Sequence, residues 1–379
     1  MPVGDTFDTQ VEEYAAPETG ALVRRLTGDG SDNAHLYFTS TSFVGEGVER
    51  VLVSSDRLGE RAFFLLDVPA RRMVQVTEAS ETPFSHGCLS PTGRLFAFRG
   101  RSLLRLELDS LESEEIYRVP DGFTPALPTC TDNGGYVAFA YCEDLSVSTE
   151  VGRIYSSMAE RYYQHPSSVV MRVNADSGEA VAAWGERNWI SHVCIHPTNP
   201  DMILFCHEGG SYVKQRMWTV DLTQTVAREA QPLFRQHLNE SCCHEYFTRQ
   251  GEVGFQCNVA REDGAEGYNC FTRPDGTWLR QFLLPGARPG HIQSNSDNSL
   301  VVGDRGHLSR DDDEGGAYMA LIRHLEGRGE ITRLCRHDTS WKTQISHPHP
   351  IFSPDDRWAL YTSDAGGACN VYMADVTSI

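Results

Sequence analysis

The sequence predicts an all-β chain folded as a seven-bladed β-propeller. Three observations carry that expectation. Apolar runs are short and alternate with period two, helical periodicity is nowhere sustained, and one turn-plus-strand unit returns seven times.

The strands are the first element. Leu95–Phe98, Val137–Tyr141, Met202–Phe205, Leu300–Val302 and Trp358–Thr362 are rich in Val, Phe, Tyr and Leu, and each is bounded by polar turns. The repeat is the second. A turn leads into an apolar strand at 89–98, 130–140, 195–205, 247–256, 294–303 and 352–364, with a degenerate first copy from Thr41 to Asp56. Further strands follow within each copy, the next closing on an acidic residue, as in LLRLELD, VVMRVNAD and NVYMADV. Spacings of roughly 40 to 65 residues suit four-stranded blades. The seventh copy stops after its third strand, while Ala21–Thr27 has no blade of its own. That N-terminal strand is expected to close the last blade, removing an open sheet edge. All of 1–379 then reads as a single propeller domain.

Composition narrows the partners. The 379 residues are 40% hydrophobic and 22% charged, as in a globular protein, and no run is long and apolar enough for a membrane helix. A net charge of −19 repels nucleic acid and anionic membranes. No obligate protein partner is evident. Met1–Gln10 lacks the basic and apolar regions of a secretory leader, and the eleven cysteines form no even or C-x-x-C framework. Reduced thiols and a cytoplasmic location are expected. Basic charge is almost all Arg, with Lys only at 214 and 342.

The repeat also places histidines. With Pro91, Pro197, Arg249, Ser296 and Pro354 in register, the residue five positions upstream is His86, His192, His244, His291 or His349. The two remaining copies carry about Ser42 and Leu127 there. A ring of imidazoles about one channel has the composition of a metal and acid–base site. The densest stretch is Gln344-Ile345-Ser346-His347-Pro348-His349-Pro350, whose prolines suggest stiff extended backbone with both imidazoles on one side. With His291 it offers three nitrogens and the Gln344 oxygen, a set that suits Mn²⁺, Fe²⁺, Co²⁺, Ni²⁺ or Zn²⁺.

These residues carry a family resemblance. Q-I-S-H-P-H-P-I-F-S-P-D (344–355), Y-T-S-D (361–364), F-C-H-E-G (205–209), Q-R-M-W-T-V-D (215–221), C-H-E-Y-F (243–247), H-I-Q-S-N-S-D (291–297) and P-E-T-G-A-L-V-R-R-L-T (17–27) resemble the oligogalacturonate lyases across essentially the whole chain. The resemblance implies a seven-bladed propeller with one divalent metal, usually Mn²⁺, held by His291, Gln344, His347 and His349. It implies His244 as catalytic base and Arg216 as a cation contacting substrate. The reaction would be β-elimination on a small acidic oligosaccharide: H5 leaves to a histidine while the metal neutralises the C6 carboxylate.

Other residues receive lesser roles. His86 and His192 share the ring register and are candidates to touch substrate, as are His207 and Tyr246; His207 and Glu208 would otherwise orient a ligand or cap a strand. Asp311–Glu314 reads as a solvated hairpin tip, and 144–164 matches nothing in the family pattern. A non-catalytic interaction propeller would leave the Gln344/His347/His349 cluster unexplained. A serine peptidase lacks its G-x-S-x-G elbow, and a lactonase prefers carboxylate-rich ligation. The same machinery acting on another uronate oligomer stays open.

Overall fold

The computed structural model describes residues 2–145, 147, 157–224, 229–262, 264–286, 289–305 and 317–379. Their regular structure is almost wholly antiparallel β. The chain divides into two compact units: residues 1–83, 108–111 and 282–379, and residues 84–107 and 112–281.

The first unit holds both chain ends. One sheet runs in the order Thr6–Asp8, Arg72–Gln75, Ala62–Asp67, Arg50–Ser55, Asn33–Ala34. Another runs Glu12–Ala15, Leu22–Arg25, Asn370–Asp375, Trp358–Ser363, Ile351–Phe352. A third meander is formed by Arg328–Arg336, Tyr318–Leu325, Leu300–Arg305 and Ile292–Ser294. The N-terminal segment therefore pairs with the C-terminal strand as the repeat predicts, with Val23 opposite Ala374 and Arg25 opposite Tyr372. Two further strands, Thr6–Asp8 and Glu12–Ala15, were not foreseen, since their mixed polar sequences carry no alternation signal.

Burial explains the pattern. Trp358–Ser363 and Asn370–Asp375 are buried at every position, including the polar Thr362, Ser363, Asn370 and Asp375. Glu12–Ala15, exposed throughout and acidic, ends that sheet with an edge that discourages further pairing. Val23, Phe352, Ala359, Tyr361 and Ala374 share a core with Val302, Met319 and Leu334. At the join, the buried Thr27 hydroxyl donates to Asn370 Oδ1 at 3.0 Å and accepts from the Val371 N–H at 3.0 Å.

The second unit repeats the meander. Its sheets are Phe84–Leu89 to Ser113–Arg118, then Tyr136–Glu143, Ser168–Asn174 and Ala180–Glu186 with short flanking strands, then Ile190–Ile195 to Gln231–Pro232. Glu240–Phe247, Val253–Arg261 and Gly264–Thr272 follow as consecutive antiparallel strands. Among the described residues the only α-helix is Met158–Gln164, seven residues long with none buried. It lies where the sequence showed no pattern, because one or two turns leave no periodicity to read. The acidic run 311–314 lies outside the described residues.

The register of the meanders fixes the histidines. His86, His192 and His244 sit on the first strand of their sheets. In each case the pairing with the next strand slips around the histidine: between Phe84 and Gly87, Ile190 and Val193, and Cys243 and Tyr246. Such bulges re-aim a side chain out of the regular alternation.

Thr27→Val should leave the Asn370 acceptor and the Val371 N–H buried and unpaired, at about 1–3 kcal/mol for such a loss. The denaturation midpoint should fall clearly, while Glu13→Gln on the exposed edge should leave it unchanged.

Candidate active site

In the first unit, three buried histidines converge. Their ligand nitrogens on His291, His347 and His349 all lie within 4.8 Å of one another, the one such group of metal-binding side chains among the described residues. The ring centroids of His291 and His349 are 4.2 Å apart, and those of His347 and His349 are 5.5 Å apart.

Each ring is aimed by identifiable neighbours. The His291 backbone N–H donates to Asp304 Oδ1 at 2.7 Å, and its Nδ1–H donates to Asp304 Oδ2 at 2.8 Å. The pairing fixes the tautomer and leaves Nε2 as the lone-pair nitrogen. Asp304 is fully buried, and a Cβ at Gly290 would stand 2.4 Å from its Oδ1, so only glycine fits there. On the other side, a 3₁₀ turn at Gln344–Ser346 is held by a capping box with Thr343 and ends on His347, which is extended (φ −69°, ψ 138°). His349 departs from the extended backbone expected of this stretch. Its φ is +46°, a conformation that costs energy and persists only when neighbours over-determine it. Those neighbours are Tyr37, edge-on at 4.7 Å, and Phe38, stacked at 6.4 Å. The Gln344 amide N–H also donates to His349 Nε2 at 3.2 Å. Between the two histidines, the Pro348 carbonyl accepts a hydrogen bond from buried His35 Nε2 at 3.0 Å, and burial lowers the His35 pKa to about 4. Trp341, itself at φ +56°, packs 4.7 Å from the His347 ring.

The chemistry of this donor set fits a cation. Three imidazole nitrogens this close together are a donor set that a borderline divalent ion takes. Gln344 stands beside them with its amide nitrogen on His349 Nε2, and turning that amide over would bring its oxygen, a hard donor, toward the same point. Three N and one O would then leave positions open on a divalent ion that prefers mixed ligands.

The second unit contains a different cluster. The buried Arg216 guanidinium grips Glu245 with two bonds, Nε to Oε2 at 2.9 Å and Nη2 to Oε1 at 3.1 Å, and Glu208 with a third, Nη1 to Oε1 at 3.1 Å. Ser191 donates to Glu208 Oε2 at 2.7 Å. Burial by itself would raise Glu208, but Arg216, His192 and Ser191 outweigh it and hold the carboxyl at about 2. Glu245 is lowered in the same way, against its burial, chiefly by Arg216. His192, with Nδ1 3.9 Å from Glu245 Oε1, is lowered by burial, which its acidic neighbours only partly offset.

His244 is the neighbour of Glu245 in the chain and sits at the strand bulge with φ +55°. Its Nδ1–H donates to Gln256 Oε1 at 3.0 Å, and the Cys243 thiol donates to the same oxygen at 3.7 Å. Gln256 therefore sets the tautomer, so that Nε2 of His244 carries the lone pair.

The remaining candidates are placed as follows. His207 Nε2 bonds Glu186 Oε1 at 2.6 Å, with its ring 5.0 Å from that of Trp218. Tyr246 is buried and lies over Gly254, where a Cβ would stand 2.6 Å from the phenol ring. The His86 side chain lies outside the described residues. Sequence reasoning missed Asp304, His35, Gln256 and the ionic role of Glu245. Only Glu245 lay within a quoted motif, C-H-E-Y-F; the others are brought in by strand pairing and loop packing.

All 379 residues match the family model described as oligogalacturonate lyase. The chain belongs to that family. It is accordingly an enzyme of the lyase class. Among relatives of this oligogalacturonate lyase family member, the oligogalacturonide lyase of Pectobacterium atrosepticum is 28% identical, covering 99% of this chain and 98% of its own. The oligogalacturonate lyase of Dickeya dadantii is 27% identical over the same shares. A solved oligogalacturonate lyase in complex with manganese superposes with a TM-score of 0.86 at 27% identity, covering 99% of this chain and 98% of the other. The fold is shared as well with an oligogalacturonate lyase from Vibrio parahaemolyticus, at 24% identity, 99% of both chains and a TM-score of 0.88.

The Glu208 pKa, depressed from 4.5 to about 2, makes a sign-definite prediction. Its stabilising effect is complete above about pH 4.5 and is lost as pH falls toward 2, worth about 3 kcal/mol in all. In Glu208→Gln, unfolding free energy should fall less steeply with acid across that window than in the wild type.

Proposed function

We propose that this lyase cleaves short oligogalacturonates, digalacturonate and its unsaturated form among them, by β-elimination. The convergence of His291, His347 and His349 beside Gln344, in a chain of this family, is the observation that carries the reading. These four residues would hold one divalent cation, and the likeness to a manganese complex supports Mn²⁺. When bound, the cation supplies charge neutralisation of the C6 carboxylate, which makes the neighbouring C5–H acidic.

The chain's own residues do the rest. His244, presenting Nε2 as lone pair, takes H5 as a proton. The C5–H electron pair becomes the C4=C5 double bond, and the C4–O pair leaves with the departing sugar oxygen, which is then protonated. Gln256 keeps Nδ1–H occupied, so the base does not switch tautomer. Arg216 spends three of its five N–H donors on Glu245 and Glu208, which fix its plane. Its proposed contact with a substrate carboxylate uses the other two. Because two carboxylates outweigh its single charge, that contact supplies direction rather than net attraction. His192 and His86 remain candidates for substrate contact on their shared register. His207, tied to Glu186, and Tyr246, packed in the strand interior, fit supporting roles better.

The seven successive meanders, with Leu22–Arg25 joining the last, support one seven-bladed propeller over 1–379. Among the described residues no helix is long and apolar enough to cross a membrane. All eleven cysteines are free thiols, which supports a reducing, cytoplasmic setting.

Purified protein with digalacturonate and Mn²⁺ should generate the ultraviolet absorbance of 4,5-unsaturated uronate, and EDTA should abolish it. His244→Ala should lower kcat by roughly a hundred- to ten-thousandfold; turnover at wild-type rate would exclude it as the base. Asp304→Asn should weaken Mn²⁺ binding about ten- to a hundredfold in calorimetry, because His291 loses the acceptor that aims it.

A further inference from the structure

The helix Met158–Gln164 has no buried residue, yet it is seated on a specific place. Tyr162 stacks on Tyr212 with centroids 5.5 Å apart and planes at 22°, and its hydroxyl donates to the Tyr212 carbonyl at 3.2 Å. Tyr163 stands edge-on to both, at 5.3 Å from Tyr162 and 5.5 Å from Tyr212. The seat needs the Gly209-Gly210 pair. A Cβ at Gly209 would lie 2.6 Å from the Tyr162 ring, and one at Gly210 would lie 2.9 Å from Met158 Sδ. Gly209 directly follows Glu208, the partner of Arg216, and the Glu208 N–H donates to the Trp189 carbonyl at 2.8 Å. Arg161 of the helix lies over the Trp189 ring at 5.8 Å. The tyrosine cluster is thus continuous with the Arg216 cluster.

What it presents to solvent is unusual. Tyr163 is 65% exposed and Tyr212 is 42% exposed. Close to them in the chain are Arg161, His165 and Lys214, with Glu160 the acidic residue of the helix, in a protein whose net charge is −19. Exposed aromatic faces beside cations suit a sugar acid. In a galacturonate ring the axial O4 leaves the C3, C4 and C5 hydrogens on one apolar face, which can lie on a phenol ring, while the carboxylate reaches a neighbouring cation.

We propose that Tyr163 and Tyr212 form a subsite for a galacturonate unit next to the one being cleaved, with Lys214 and Arg161 meeting its carboxylate. This rests on the lyase reading above and adds the residues that set chain-length preference.

The test uses steady-state kinetics of the full chain on digalacturonate and trigalacturonate, with Mn²⁺, plus calorimetric binding of digalacturonate. Tyr163→Ala should raise KM about two- to tenfold, leave kcat within about twofold, and leave the melting temperature unchanged; Tyr163→Trp should restore KM. Unchanged KM on both substrates overturns the proposal. So does a change in oligomeric state with KM intact, which would assign the patch to a second copy of the chain. A fall in melting temperature and kcat together, unrescued by Trp, overturns it in favour of a structural role. Absence of wild-type turnover would sink the lyase reading instead, and weaker binding to Tyr163→Ala would still uphold the subsite.

Discussion

Three imidazole nitrogens converge on one point, and the surrounding structure is arranged to keep them there. Left alone, three rings whose ligand nitrogens lie within 4.8 Å of one another would be free to turn away. Asp304 prevents this at His291 by binding both its N–H groups. His35 pins the carbonyl between the other two histidines, and Tyr37 and Phe38 wall in the strained His349. Strain of this kind is a cost of order 1–3 kcal/mol that packing elsewhere has to offset. Much of the local sequence, from Gly290 to the Thr343 cap, is explained by that requirement.

The Arg216 cluster follows a different logic. One guanidinium faces two carboxylates, both held ionised, so the group is rigid and carries a net negative charge. Burial works against the Arg216 charge, and its anionic neighbours reverse that, keeping its pKa well above the usual value. An arginine in that state remains a donor of hydrogen bonds and is poorly suited to giving up a proton. In the proposed reaction, proton removal falls to His244, whose tautomer Gln256 determines.

The bulges connect the repeat to the chemistry. A regular first strand would alternate its side chains between the two faces of the sheet. Slipping the register at His192 and His244 frees both side chains from that alternation without changing the meander. The repeat can thus vary one position per copy while its hydrophobic strands stay interchangeable.

Strand content, the returning meander and the pairing of Ala21–Thr27 with the C-terminal strand were legible in the sequence, because period-two burial writes itself into residue order. The histidine spacing followed from the turns of the repeat, though not the bulges at His192 and His244, and the motifs around it were enough to indicate the family. The short helix at 158–164, the left-handed turn at His349, and the partners Asp304, His35 and Gln256 were not. Each depends on groups brought together by strand pairing or loop packing rather than by spacing along the chain: Asp304 lies opposite His291 only because their strands pair, and Gln256 meets His244 only through a bulge. Sequence determined which side chains were available and which strands would bury them; tertiary structure decided where their polar atoms point, since hydrogen-bond direction is set by neighbours that residue order does not name.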